Sequence, residues 1–156
     1  MLKSSVRWVE GKQFVAEGGS GHAIVLDTPP GIGGRNTGVT PMELMLMGTA
    51  GCTAVDVVYI LGDRMHQDVR RLSVSAEADR AEEEPKVFTE VRLRYEMAGR
   101  DVKAKQVERA LKLSLEKYCS ASAMIEHTAK VVAQWSFHDE ASDETHTGEL
   151  SIGPLK

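Results

Sequence analysis

The amino-acid sequence predicts an α+β domain in which a mainly antiparallel sheet packs on a buried central helix. An almost wholly apolar run from Leu44 to Leu61 follows a helix-start signal and predicts the helix. On both sides of this run, apolar and polar residues alternate with a period of two, which is typical of strands with one solvated face. Strands on both sides of one long helix predict α+β architecture.

Length and composition describe an ordinary globular protein. The 156 residues fit one domain, and 42% hydrophobic and 27% charged residues are typical of soluble chains. The net charge of −4, without a basic stripe, argues against nucleic-acid binding. The first residues lack the apolar run of a secretory signal, so we expect a cytoplasmic protein.

The N-terminal part predicts three short strands before the helix. These strands centre on residues 6–8, 14–16 and 22–26, and a loop rich in Gly and Pro follows them. Thr40 as N-cap and Pro41 as the first helical residue predict a helix that ends near Gly62.

The second half predicts a hairpin, a helix and a last strand. Alternation over residues 72–78 and 87–97 indicates an antiparallel pair. Asp101 is the predicted N-cap of a second helix, whose apolar stripe ends near Cys119. Residues 129–137 alternate as a final strand. We therefore place the domain at residues 1–137 and interpret the acidic residues 138–156 as a flexible tail.

The apolar run has about the length of a membrane span, but its composition favours a soluble core. Asp56 lies well inside it, and Gly and Thr residues dilute its hydrophobicity. A helix apolar on every side is hard to cover in so small a domain. We expect no membrane insertion and a second subunit against part of this helix.

Two cysteines, Cys52 and Cys119, are the candidate reactive centre. Cys52 lies in the helix among small residues, and Cys119 lies where the second helix ends. In a reducing cytoplasm a cysteine pair is more often chemical than structural, although a buried free cysteine is commonly a small core residue. A thiolate that attacks a peroxide becomes a sulfenic acid, which a second thiol converts to a disulfide.

A cation is needed to stabilise such a thiolate, because the helix dipole fades within one turn and Cys52 lies eleven residues beyond Pro41. Arg35 and Lys12 are the candidate cations, and Glu43 is the candidate residue that orients the cation. In the alternative interpretation, Arg35 is a solvated loop residue and Glu43 is an acid favoured at a helix N-terminus. Asp56 shares a helix face with Cys52 and would disfavour its ionisation. We therefore expect Asp56 to pair with a basic group, or to face the hairpin or a second subunit.

Signatures of cofactors and metals are incomplete. Asn36 replaces the third glycine of a dinucleotide fingerprint, and no phosphate-binding Gly-Lys-Ser/Thr occurs. The five histidines lack paired spacing with the cysteines. We expect neither a cofactor nor a metal.

The segment Thr40-Pro41-Met42-Glu43-Leu44, with Gly48-Thr49-Ala50-Gly51-Cys52 after it, resembles the Pro-Glu-x-Leu…Ala-Ala-Cys helix of the OsmC/Ohr family. The continuation Thr53-Ala54-Val55-Asp56-Val57-Val58 is most similar to the YhfA-type branch. The hairpin, the helix ending in Tyr118-Cys119-Ser120 and the last strand follow the family's order. The resemblance covers about residues 3 to 137.

The resemblance implies an intertwined homodimer with an OsmC-like fold and active sites at the subunit interface. It implies that Cys52 reduces organic hydroperoxides, that Cys119 resolves the sulfenic acid, and that a dithiol such as a lipoylated protein supplies electrons. Met42 stands where the family's glutamate follows the proline, and Glu43 lies one place on. The alternative function is a non-catalytic dimer that binds a small apolar ligand or a partner thiol.

Overall fold

The structure is a computed structural model that describes residues 1–154 and divides into two compact units. The first unit, Met1–Met45, holds a three-stranded antiparallel sheet. Its strands are β1 (Ser4–Glu10), β2 (Gln13–Gly18) and β3 (Ala23–Leu26), paired in that order. The three predicted N-terminal strands are confirmed.

A buried carboxylate organises the loop that follows β3. Asp27 is almost fully buried and accepts hydrogen bonds from the backbone N–H groups of Thr28, Arg35 and Thr37, and from the Thr37 hydroxyl at 2.6 Å. The Thr37 hydroxyl is the main reason that the pKa of Asp27 falls to about 2; the backbone donors add to the effect and burial opposes it. The ionised side chain therefore holds both ends of the loop together.

Helix α1 (Pro41–Val58) begins with a reciprocal cap. Thr40 Oγ1 accepts from the Glu43 N–H at 3.2 Å, and a Glu43 carboxylate oxygen accepts from the Thr40 N–H at 2.7 Å. This is a capping box, so the predicted helix start is confirmed. A π-helical turn, Tyr59–Arg64, continues the helix at its other end.

The second unit, which begins at Leu46, holds a four-stranded sheet. Its strands are β4 (Asp68–Arg80), β5 (Phe88–Arg100), β6 (Lys130–Asp139) and β7 (Glu144–Ile152), in that spatial order. β5 and β6 pair in parallel, whereas the other two pairings are antiparallel. The predicted α+β class with mainly antiparallel sheet is confirmed.

The parallel pair requires a crossover, and two helices provide it. α2 (Ala104–Leu113) leads through a π-helical turn, Ser114–Tyr118, to α3 (Ser120–Ile125). The α2 stripe is buried at Val107, Ala110 and Leu111. The prediction of Asp101 as N-cap is wrong: its N–H donates to Asp139 Oδ1, and Lys103 occupies the cap position.

The helical stretch Pro41–Arg64 is long and apolar enough to span a membrane by length and composition alone. One face of it is buried, through Thr49, Ala50, Thr53, Val57, Ile60 and Leu61. The opposite face, which we call the exposed apolar face, carries Met47, Val55, Val58 and Tyr59, each 50–70% exposed. One chain therefore buries only one face of this helix, and the expectation of a second subunit against the rest stays a prediction.

The segment predicted as an acidic flexible tail, 138–156, is ordered where the structure describes it. His138 and Asp139 end β6, and β7 pairs with β6 from Glu144 to Ile152. Backbone hydrogen bonds to an open sheet edge do not need large apolar side chains, which explains why composition was misleading. Gly148 also has a packing role, since a Cβ there would lie 2.6 Å from the Trp135 ring. Leu155 and Lys156 lie outside the described residues.

Asp27→Asn is expected to lower the melting temperature by several degrees near neutral pH. An amide offers one acceptor oxygen where the carboxylate uses both. The folded pKa lies below the ordinary value of 3.8, so the carboxylate's stabilisation is present above about pH 4 and is lost as the pH falls towards about 2. The difference from the wild type should shrink over that interval in thermal unfolding followed by circular dichroism. Glu17→Gln, an exposed change on β2, is the control; a difference independent of pH would contradict the interpretation.

Candidate functional site

Cys52 and Asp56 lie one turn apart on α1, at the boundary between its buried and exposed faces. Both side chains are partly buried. The spacing of four residues places them side by side on the helix surface. Their relative position therefore follows directly from the sequence.

Cys119 is positioned by the π-helical turn that follows α2. Its N–H donates to the Ser114 carbonyl oxygen at 2.8 Å, and its extended backbone (φ −74°, ψ 103°) ends the helical run. Its Sγ accepts from the Ser122 N–H at 3.3 Å and so caps α3. Such π-turns are frequent at functional sites, and this one turns the thiol into the core, where it is 2% exposed.

The two thiols and the Asp56 carboxylate converge. Ligand atoms of Cys52, Asp56 and Cys119 all lie within 4.8 Å of one another, and we call this set the thiol–carboxylate cluster. The two cysteines lie close together, as the disulfide step implied by the family resemblance requires. Asp56 Oδ2 accepts from the Ser114 hydroxyl at 3.0 Å. It forms no ion pair within residues 1–154, so the first of its three expected arrangements, pairing with a basic group, is not found, whereas a position facing a second subunit stays a prediction.

Two buried hydroxyls near the cluster lack hydrogen-bond partners among the described residues: Tyr95 Oη on β5 and Ser122 Oγ on α3. Burial raises the pKa of Tyr95; the nearby Thr53 hydroxyl opposes this, and the charges of Cys119 and Asp56 add to it. Tyr95 therefore lies close to the cluster. Neither hydroxyl carried a sequence signal, because each is brought in by tertiary packing.

The Cys119 thiol is held in its protonated form. Burial raises its pKa, and Cys52 contributes in the same direction, whereas the hydroxyl and N–H of Ser122 oppose the shift. A group of this kind is a poor first nucleophile, since only the thiolate attacks. It is suited to a second step in which a neighbouring sulfur has already become electrophilic.

Arg35 and Glu43, the other predicted site residues, lie in the first unit. Arg35 Nη2 contacts Glu10 Oε1 at 2.6 Å in an ion pair with both side chains more than half exposed. Glu43 forms the capping box with Thr40, whose N–H is the main reason that the pKa of Glu43 is lowered. Lys12 lies in the turn between β1 and β2. A role for any of these residues beside Cys52 stays a prediction.

Comparison with protein families finds a match over residues 34–134 to the model described as OsmC-like protein. Protein YhfA of Escherichia coli K12 is 41% identical over 138 residues, which span 85% of this chain and 99% of that protein.

Solved structures share the fold. A hypothetical protein from Aquifex aeolicus VF5 superposes with a TM-score of 0.78 at 28% identity, covering 90% of this chain and 98% of that chain. An organic hydroperoxide resistance protein OsmC from Legionella pneumophila gives a TM-score of 0.65 at 19% identity, covering 84% and 93%. The second likeness concerns the fold alone.

In a Cys52→Ser variant, Cys119 should be alkylated slowly by iodoacetamide, with a midpoint above the ordinary thiol value of about 8.5. Burial, the largest cause of its raised pKa, persists in this variant. Mass spectrometry of labelled peptides across a pH series measures the midpoint, and Cys119 in urea-unfolded protein is the control. A folded-state midpoint at or below that of the unfolded chain would contradict the prediction.

Proposed function

The chain belongs to the OsmC-like family, and from this membership we propose that it is a cytoplasmic, thiol-dependent reductase of organic hydroperoxides that serves in oxidative stress defence. The main support is the pair of sulfurs within 4.8 Å, one partly accessible and one buried. This asymmetry suits a two-step thiol reaction. Cys52 is the attacking residue and Cys119 the resolving residue.

In the proposed reaction the Cys52 thiolate attacks one peroxide oxygen and the O–O bond breaks. The other oxygen leaves with a proton as the alcohol, and Cys52 becomes a sulfenic acid. The Cys119 sulfur then attacks the Cys52 sulfur, a disulfide forms, and the hydroxyl leaves as water. A dithiol, for which a lipoylated protein is the candidate, reduces the disulfide and closes the cycle.

Arg35 is the proposed cation for the Cys52 thiolate, Lys12 is the alternative, and Glu43 is proposed to orient the cation. The partner that Arg35 has in the first unit, Glu10, is exposed, and exposed ion pairs contribute little to stability. The guanidinium is therefore available to another anion at small cost. Glu43 already has one carboxylate oxygen fixed by Thr40, and its second oxygen is available to a cation.

We also propose that the chain works as a homodimer joined through the exposed apolar face of α1. Contiguous exposed apolar side chains on a helix are unusual in a monomer. They continue onto β4, where Leu72 and Val74 line the same groove as Val55 and Val58. A Cβ at Gly48 or Gly51 would meet no atom within 4 Å among the described residues, which leaves room for a second backbone.

A second candidate function is a dimer that binds a small apolar ligand or a partner thiol without turning over peroxide. The Asp56 carboxylate within the thiol–carboxylate cluster supports it, because a negative charge beside a thiol disfavours the reactive thiolate. The same cluster therefore supports both functions, and kinetics distinguishes them.

Stopped-flow oxidation of the reduced protein should be faster with tert-butyl hydroperoxide than with hydrogen peroxide. Cys52→Ser should abolish the reaction, and Cys119→Ser should stop after one equivalent at a trappable sulfenic acid. Arg35→Ala should slow the first step roughly a hundredfold, the usual cost of removing one charge-stabilising group. Arg7→Ala, an exposed change on β1, is the matched control. Equal oxidation rates for the wild type and Cys52→Ser would favour the binding function.

Sedimentation at micromolar concentration should show a stable dimer. Val58→Lys places a charge on the exposed apolar face and should shift the protein to monomer or to a less stable state. Val87→Lys, a partly exposed change before β5, should leave the dimer intact. A stable folded monomer of the wild type would contradict the dimer.

A further inference from the structure

We propose that the reduced thiol–carboxylate cluster is a binding site for a thiophilic divalent metal ion, with Zn²⁺ as the representative ligand. Cys52 and Cys119 supply two sulfurs and Asp56 one carboxylate oxygen. This inference does not depend on hydroperoxide reduction. It also revises the sequence-based expectation of no metal, which considered only histidine spacing.

The spacing of the three ligand atoms fits tetrahedral zinc. Zn–S bonds of about 2.3 Å and Zn–O bonds of about 2.0–2.2 Å place ligands roughly 3.5–3.8 Å apart. The three atoms here lie within 4.8 Å of one another. Side-chain shifts of about an ångström would therefore bring them to the separations of tetrahedral zinc ligands. Cys52 and Asp56 are also four residues apart on one helix, a spacing that lets two ligands reach the same ion.

Hydrogen bonds already orient two of the three ligands. The Ser114 hydroxyl donates to Asp56 Oδ2 at 3.0 Å, and the Ser122 N–H donates to Cys119 Sγ at 3.3 Å. Metal sites commonly fix their ligands through such outer contacts. The π-helical turn supplies both Ser114 and the position of Cys119, so one local distortion organises two ligands.

Two buried hydroxyls beside the cluster are incompletely hydrogen-bonded. Tyr95 Oη and Ser122 Oγ form no hydrogen bond of ordinary geometry in residues 1–154. Their neighbours are the Thr53 hydroxyl and the Cys119 sulfur, respectively. Zinc with three protein ligands keeps a water in the fourth position, and such a water would be a further partner for a buried hydroxyl.

Charge balance also favours a cation. The Asp56 carboxylate forms no ion pair in the described part of the chain, so a cation held by the cluster would offset its charge. Binding would form two Zn–S bonds and release to solvent the proton of each sulfur that is still a thiol, including that of Cys119. Disulfide formation would remove both sulfur ligands, so only the reduced protein should bind.

The test is calorimetric titration of the full-length, reduced, metal-free protein with zinc chloride, with proton release measured by an indicator dye. We expect about one ion bound per chain, with the release of the Cys119 proton and of a second proton wherever Cys52 is still a thiol. Cobalt(II) chloride should give the intense near-ultraviolet band of thiolate coordination. Asp56→Asn should weaken zinc binding at least about tenfold, and Cys52→Ser should weaken it further.

Two controls separate this site from adventitious binding to surface histidines and carboxylates. Asp63→Asn changes an exposed carboxylate on the same helical stretch and should leave the affinity unchanged. The disulfide form should not bind. Equal zinc affinity in the oxidised protein or in Cys52→Ser, or no binding by the reduced wild type, would overturn the proposal. Hydroperoxide turnover, assayed on the same preparation, reports separately on the proposed reaction.

Discussion

The parallel pairing of β5 with β6 is the constraint on which the second unit depends. Two parallel neighbours cannot be joined by a tight turn, so the chain must leave the sheet and return. α2, the π-helical turn and α3 make that return, and Cys119 lies at the junction between the two helices. The β-sheet topology thus fixes where the second thiol can lie, and α1 supplies the first.

Most of the helices and strands are predictable from the spacing of apolar residues and from the residues that cap helix ends. The start of α1 is predictable from four consecutive residues, 40–43, because a capping box is a local interaction between Thr40 and Glu43. β7 had no such local signal. It forms because β6 leaves an edge of unpaired backbone groups, and because Gly148 lets the Trp135 ring lie close against it.

Sequence periodicity alone predicts only the part of the candidate site that lies within one helix. Cys52 and Asp56 share a face because helices repeat every 3.6 residues. The resemblance implied that Cys52 approaches Cys119, whereas the contact of Ser114 with Asp56 depends on how the crossover packs in the folded unit. Pairing with a basic group, one of the three arrangements expected for Asp56, is not found in the described residues, where its carboxylate accepts from the Ser114 hydroxyl beside two thiols. Charge rules predict that a buried carboxylate needs compensation, but not which group provides it.

Cys119 Sγ has two roles that compete, since the same atom caps α3 and faces Cys52. Disulfide formation would draw Cys119 Sγ from within 4.8 Å to about 2.05 Å of Cys52 Sγ and so move it relative to the Ser122 N–H, and α3 is only six residues long. A helix this short depends heavily on its first turn. Oxidation of the centre would therefore loosen α3 and change the surface at Met124, which is already 74% exposed. The redox state of a partly buried and a buried sulfur would thereby alter the outer surface of the molecule, where a partner that distinguishes a formed helical turn from a frayed one could detect it.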